Sequence, residues 1–304
     1  MCARRRSPTT SNPWHRRYIG GCHSGSFILA SGHAAQEIDL LLHRRRDCGL
    51  GCRAAHHARR QPHYSVLAIT TALTLRTVFR LALRQTEGLI GSIIRLLGLD
   101  LAVPGHSMLS RRAETLPVVR PASSSAPVHL LVDSTGVRLC GPGEWLFEKH
   151  GARTRRSWKK LRLGVDADTG ETVAAALTSS DVDDGSQVGP LLGRVRRPVA
   201  SFTGDGAYDR DDVYGEVAAR HPDAAVIAPP RSSAVLSETA DTAPTQRDKH
   251  LQLIAERGRM GWQRASGYNY RALVEADISR YKRVIGGTLR SRTDARRATE
   301  VAML

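Results

Sequence analysis

From Tyr64 onward the apolar positions fall into runs with clear periods. Leu67, Ile69, Leu73, Leu75, Val78, Phe79 and Leu81 recur with helical spacing and predict a helix over Tyr64 to Leu83. A second helix is predicted over Arg84 to Leu97, with Leu89, Ile90, Ile93, Ile94 and Leu97 facing inward. Gly98 to Gly105, with Pro104, breaks it, and Ser107 is the expected N-cap of a third helix that begins SMLSRRA. Helices joined by a short break and ending in Ser110-Arg111-Arg112 are consistent with a helix-turn-helix that uses Arg111 and Arg112 on DNA, and equally with a plain helical bundle. Pro117 to Pro127 (PVVRPASSSAP) reads as a linker. The organisation expected is thus a non-family segment at 1–61, a small all-helical domain at 62–116, the linker, and a catalytic domain at 128–304.

Beyond the linker the period changes. Val128 to Val132 predicts a first strand, closed by Asp133 and a Ser134-Thr135-Gly136 turn. Leu161 to Asp166 predicts a second, Asp168-Thr169-Gly170 a tight turn, and Thr172 to Leu177 a third, making an antiparallel meander. Then come a helix at Ser186 to Val195, strand four at Pro198 to Thr203, a helix at Asp211 to Arg220 and strand five at Ala224 to Ala228. Pro229 to about Asp248 is polar without periodicity and reads as a loop or insertion. Strands first, then strand and helix in alternation, predict an α/β domain with a mixed sheet flanked by helices.

The chemistry lies in three places. In YNYRALVEADISRYK, Tyr268, Arg271, Glu275 and Lys282 fall on one face of a helix, so a carboxylate is flanked by a hydroxyl, a guanidinium and an ammonium. The same spacing also describes a solvated, salt-bridged helix face. Asp133 ends an apolar run, where an acid is costly unless paired. Asp205 lies between Gly204 and Gly206 at the carboxyl end of a predicted strand, where open α/β sheets place ligands. Both aspartates can equally be read as turn residues that cap helices. Two strand-borne aspartates and a helix-borne glutamate make a hard-oxygen ligand set for two Mg²⁺ or Mn²⁺ ions, which suits in-line displacement at phosphorus.

From Tyr64 to the C-terminus the chain resembles bacterial insertion-sequence transposases of the DDE type. The resemblance rests on VDSTGV at Asp133, GDGAYD at Asp205, and a Tyr-x2-Arg-x3-Glu-x6-Lys signature matched by Tyr268, Arg271, Glu275 and Lys282. DVDDGSQVGPLL (Asp181 to Leu192) and SRYKRVIG (Ser279 to Gly286) also look like family segments. The resemblance implies a ribonuclease-H-like core and cut-and-paste transposition. Asp133, Asp205 and Glu275 would be catalytic and hold the metals, while Tyr268, Arg271 and Lys282 orient the DNA backbone. It also implies double-stranded DNA partners, namely terminal inverted repeats and a target, and a homodimer on the paired ends. Two other readings stay open: a nuclease of the same fold without strand transfer, and an inactive DNA-binding remnant that represses intact copies.

Charge agrees with a DNA partner. The formal net charge is +16 over 304 residues. Arg153, Arg155, Arg156, Lys159, Lys160 and Arg162 cluster around Trp158, an arrangement that can grip phosphates and stack a base, or form an ordinary solvated surface. Further basic residues cluster at Arg194, Arg196 and Arg197 and from Lys282 to Arg297. No segment reaches the length of a membrane span, and five cysteines in a basic chain suit a reducing bacterial cytoplasm, at the nucleoid. Residues 1–60 carry eleven arginines, three acids and four cysteines without periodicity, and Cys48, Cys52, His56 and His57 lack zinc-site spacing. Residues 1–61 are therefore expected to be out of frame relative to an ancestral transposase. The chain is also expected to stop, at ATEVAML, inside the family's last helix.

Overall fold

The computed structural model describes residues 64–118, 125–139 and 158–303. The expectations for residues 1–61, and for Arg153, Arg155 and Arg156, lie outside them. Tyr64–Leu304 forms one compact unit.

Three helices lead. α1 (Val66–Val78) starts at Ser65, whose hydroxyl accepts from the Ala68 amide. α2 (Leu83–Leu96) follows after a turn at residues 79–82 in which Arg80 adopts a left-handed φ of 54°. α1 and α2 meet at a bend of 113°. α3 (His106–Thr115) begins at Gly105 rather than Ser107, because Glu87 takes over the capping work: it accepts from the His106 amide at 2.9 Å and meets His106 Nδ1 at 2.8 Å. Ile69, Ala72, Leu73, Leu109, Ala113 and Leu116 form the small core of this layer. The apolar face predicted to turn inward on α2 does so only in part: Leu89, Ile90, Ile93 and Ile94 are half-buried, with Ile90 packed on that core, Thr86 is the helix's only buried residue, and Leu97 is 54 % exposed.

The sheet follows, with β1 (Val128–Leu139), β2 (Trp158–Asp166), β3 (Thr172–Ser179), β4 (Val199–Thr203), β5 (Ala225–Ile227) and a short β6 (Thr288–Leu289). Its order is β3-β2-β1-β4-β5, with β6 also on β1. β1, β2 and β3 form the predicted antiparallel meander, and β4 and β5 join parallel to β1. Gly170, at φ 69°, makes the β2–β3 turn, and Asp166 accepts from the Asp168 amide and the Thr169 hydroxyl there. β1 does not stop at Asp133. Ser134, Thr135 and Gly136 continue it, paired with Arg162, Leu161 and Lys160. Gly136 is a packing residue rather than a turn residue, since a Cβ there would sit 3.3 Å from the Trp158 ring.

Alternation along β1 divides two cores. Val128, Leu130 and Val132 face α4 (Val188–Leu192) and α5 (Asp211–Arg220). Leu131, Val137 and Leu139 face α7 (Ala272–Val284) and α8 (Asp294–Ala302). α4 is shorter than predicted because Gly185–Gln187 forms a 3-10 turn before it. α6 (Gln246–Ser266) was not legible in the sequence: only Asp248 and Trp262 are buried on it, and Gly258 kinks it with φ 67°. Residues 229–244 are irregular, as predicted, and Asp248 ties them down by accepting from the Ser237 amide and hydroxyl. Arg80 reaches across from the α1–α2 turn and donates to the carbonyls of Arg283 at 2.6 Å and Val284 at 3.1 Å, at the end of α7.

Candidate active site

The sheet register builds the site. β1 pairs with β4 as far as Leu131↔Thr203, and with β6 only at Arg138 and Leu139. Among the described residues nothing pairs with β1 on that edge in between, so a gap opens where β4 has ended. Asp133 and Asp205 each lie two residues past the last parallel pair, and so stand side by side at the mouth of the gap. Asp133 shares the face of Leu131, which is the face that α7 covers. α7 thereby brings Glu275, in its first turn, over the same place.

One side chain ties the three acids together. Arg271, in the 3-10 turn Tyr268–Arg271 that leads into α7, is 15 % exposed. Its Nη2 lies 3.2 Å from Asp133 Oδ1 and 3.8 Å from Asp205 Oδ2, and its Nη1 pairs with Glu275 Oε1. Burial disfavours the Arg271 charge, but Asp133, Tyr268, Glu275 and Asp205 outweigh it and hold the guanidinium protonated beyond its ordinary range. Burial raises the Asp133 pKa, and Asp205 and Glu275 push the same way. The Ser134 amide and Arg271 oppose them without cancelling the rise. Asp205 also accepts from the Ala207 amide at 2.9 Å, so it caps the 3-10 turn that follows while its other oxygen faces Arg271. Gly204 is required before it, because a Cβ there would lie 2.5 Å from the Tyr208 ring, whereas a Cβ on Gly206 would make only ordinary contact with Pro229 at 3.6 Å.

The other predicted residues divide. Tyr268 packs at 5.2 Å against Trp262, and burial raises its hydroxyl pKa; Arg271 opposes the rise, and Asp205 and Glu275 add to it. Lys282 is exposed two turns farther along α7, and no contact joins it to the acids. Arg111 is exposed and Arg112 half-buried on α3, and neither forms an ion pair with a described residue. Trp158, Lys159 and Lys160 belong to β2 instead of preceding it. Trp158 is 44 % exposed under the Arg138 guanidinium, and Lys159 pairs with Asp294 at 3.3 Å. On the face opposite Lys159, Lys160 and the fully buried Arg162 both bind Asp184, at 3.1 and 2.7 Å. They are neutralised inside the fold.

The sequence reading missed three supports. Asp184 also takes the Ser134 hydroxyl at 3.4 Å, one residue from Asp133. Asp209 accepts from Arg247 at 2.8 Å and fixes the end of the GDGAYD segment against α6. The buried Tyr208 hydroxyl has no hydrogen-bond partner, and burial raises its pKa, with Asp184 and Asp205 raising it further. All three lie inside DVDDGSQVGPLL and GDGAYD, the segments already singled out for their family resemblance, and that was the signal that could have found them.

The donor set suits hard divalent ions in kind: three carboxylate side chains, one of them destabilised by burial, with an unpartnered hydroxyl nearby. Their spacing is set by the guanidinium, and among the described residues no three His, Cys, Asp or Glu side chains stand close enough to hold an ion. Arg271 supplies the positive charge between the acids in this arrangement.

Residues 124–304 match a family model described as "Transposase DDE domain", and residues 51–142 match a second model with the same description. Two solved structures are similar at 11 % identity. The crystal structure of the Mos1 strand transfer complex is matched over 84 % of this chain and 88 % of that one, with a TM-score of 0.23. The Mos1 transposase paired-end complex with left transposon end is matched over 92 % and 84 %, with a TM-score of 0.24.

Proposed function

The chain belongs to the DDE transposase family, and from that premise we propose that it is the transposase of an insertion sequence, with a ribonuclease-H-like core. It binds the element's terminal inverted repeats, cleaves there, and joins the freed ends to target DNA. The observation that supports this is the meeting of Asp133, Asp205 and Glu275, from three separate elements, on Arg271.

Asp133, Asp205 and Glu275 would hold two Mg²⁺ or Mn²⁺ ions. Such ions supply Lewis-acid stabilisation of the attacking and leaving oxygens of a displacement at phosphorus. Hydrolysis at the element's end breaks the P–O3′ bond and leaves a 3′-hydroxyl. That hydroxyl then attacks a target phosphodiester and displaces another 3′-oxygen, so no external energy source is needed. The protein's own part is placement. The paired strands fix Asp133 and Asp205, α7 brings Glu275 to them, and Arg271, once released to substrate, offers a planar fork to phosphate oxygens. Tyr268 and Lys282 extend that cationic, hydrogen-bonding face along the DNA. α1 and α2, bent by 113° across residues 79–82, suit a helix-turn-helix, with Arg84 and Arg95 exposed on the second helix. The expected assembly is a homodimer on paired ends, at the bacterial nucleoid.

The test is end cleavage. Protein is incubated with a duplex bearing the element's terminal repeat and Mg²⁺ or Mn²⁺, beside Asp205→Asn. Cutting at the repeat boundary that is lost in the variant supports the proposal. Cutting without joining identifies a nuclease, and binding without cutting identifies a repressor-like remnant. The out-of-frame origin of residues 1–61 is a separate proposal. It fails if neither other forward frame yields a patterned continuation upstream of codon 62.

A further inference from the structure

A cleft of about 570 Å³ lies between the three-helix layer and the segment after β6, away from the three acids. Arg76 and Ser110 line it from the helices, and Arg290, Ser291, Arg292 and Arg296 from the other wall. Four guanidiniums face a single space, and only some of their charge is answered. Glu300 is buried, accepts from the Arg290 and Ser291 amides at 2.9 and 2.8 Å, and lies 3.9 Å from Arg76. Arg296 donates to the Ser110 carbonyl at 2.9 Å and pairs with Glu114 at 3.1 Å. The side chains of Arg290 and Arg292 are exposed and form no ion pair with a described residue. The fixed pairs shape the walls, and these two arginines leave the cleft with unspent positive charge.

We infer that this cleft is a second anchoring site for the phosphodiester backbone of duplex DNA, separate from the acid site and gripped by Arg290 and Arg292. Arginine forks match phosphate oxygens in pairs, and Ser110 adds a hydroxyl of the kind that lines backbone contacts, while Ser291 is buried and holds Arg76 in the wall at 3.4 Å. The cleft is larger than one phosphate needs and has cations on both walls, which suits a run of adjacent phosphates. A strand seated there touches the helical layer and the end of the catalytic layer at once. Through Arg80 on the carbonyls of Arg283 and Val284, that same junction also reaches the end of α7. The inference rests on the DNA-binding reading above.

Duplex binding by fluorescence anisotropy across a salt series tests it, with a 30-bp element-end duplex as the probe. The double variant Arg290→Ala/Arg292→Ala is compared with wild type and with a control of equal charge loss, Arg257→Ala/Arg264→Ala, on exposed positions of α6. The cleft variant is expected to bind about 10-fold more weakly, and its slope of log K against log salt to flatten by about 2, close to one per lost phosphate contact. Arg290→Lys/Arg292→Lys, which keeps charge and loses the fork, is expected to keep the slope and bind more weakly than wild type. It also serves if the alanine pair fails to fold, in which case an affinity equal to wild type overturns the site. Equal losses in the cleft and control variants would mean a generic charge effect and would also overturn it. No duplex binding by wild type would overturn the DNA reading itself, and the cleft with it.

Discussion

Arg271 Nη2 stands 3.2 Å from Asp133 Oδ1, and through it one guanidinium answers the charge of three carboxylates. Arg271→Ala leaves those carboxylates facing one another. The expected cost is about 1–2 kcal/mol without metal, between the exposed and buried limits for an ion pair. Millimolar Mg²⁺ should raise the melting temperature of the variant more than that of wild type. Arg271→Lys should not restore stability, because a single ammonium cannot reach three partners. Thermal melts with and without Mg²⁺ decide both points, and an alanine variant as stable as wild type would show the bridge to be idle.

Arg162 and Asp184 predict a larger effect. Arg162 is 1 % exposed, and Asp184 is the only carboxylate it pairs with among the described residues. Asp184→Ala strands a buried charge and should cost about 3 kcal/mol or more in chemical denaturation. Lys159→Met, which keeps the mostly buried stem and loses the pair with the 70 % exposed Asp294, should cost less than about 1 kcal/mol. Equal effects would contradict this ranking.

Gly204→Ala should destabilise by about 1–3 kcal/mol, the usual range for overpacking. Its Cβ would press into Tyr208, whose ring is locked edge-on against Phe202 at 5.6 Å. Gly206→Ala meets nothing closer than 3.6 Å and serves as the control. A neutral Gly204→Ala melt would refute the packing account.

His250 sets a pH dependence. Its Nε2 meets the Val226 carbonyl at 2.8 Å and its Nδ1 accepts from Trp262 Nε1 at 3.0 Å, so the neutral ring with the proton on Nε2 satisfies both. Burial lowers its pKa despite the Val226 carbonyl. A base whose folded pKa lies below its unfolded value takes up protons more readily when unfolded. Stability is then fully present above the unfolded value of about 6.5 and falls as pH drops below it. His250→Gln should flatten that part of the stability profile. Because Trp262 packs on Tyr268, near-ultraviolet circular dichroism should change over the same pH interval in wild type alone.

The sequence was a good guide wherever burial alone decides structure. α5 was predicted at Asp211–Arg220 and lies there, and the meander and the two parallel strands follow their apolar runs. It was a poor guide where a polar residue has a specific partner. Ser134-Thr135-Gly136 looks like a turn until Arg162, Leu161 and Lys160 are laid beside it. Lys160 and Arg162 look like a DNA-facing cluster because periodicity does not reveal Asp184, which is distant in sequence. α6 escaped notice because it is polar nearly all round and is held by side-chain bonds such as Gln246 to the Val226 amide. In the site itself, the three acids could be named from their motifs, but Arg271 as their common partner could not.

Of the three acids, two ride on or just past hydrogen-bonded strands and one does not. Glu275 sits on a helix whose lead-in turns at Gly267, φ 77°, and whose far end is gripped by Arg80 from the α1–α2 turn. The acid set therefore rests on two kinds of support, strand pairing for the aspartates and side-chain packing of α7 on the sheet for the glutamate, and the helical layer secures the second at its far end.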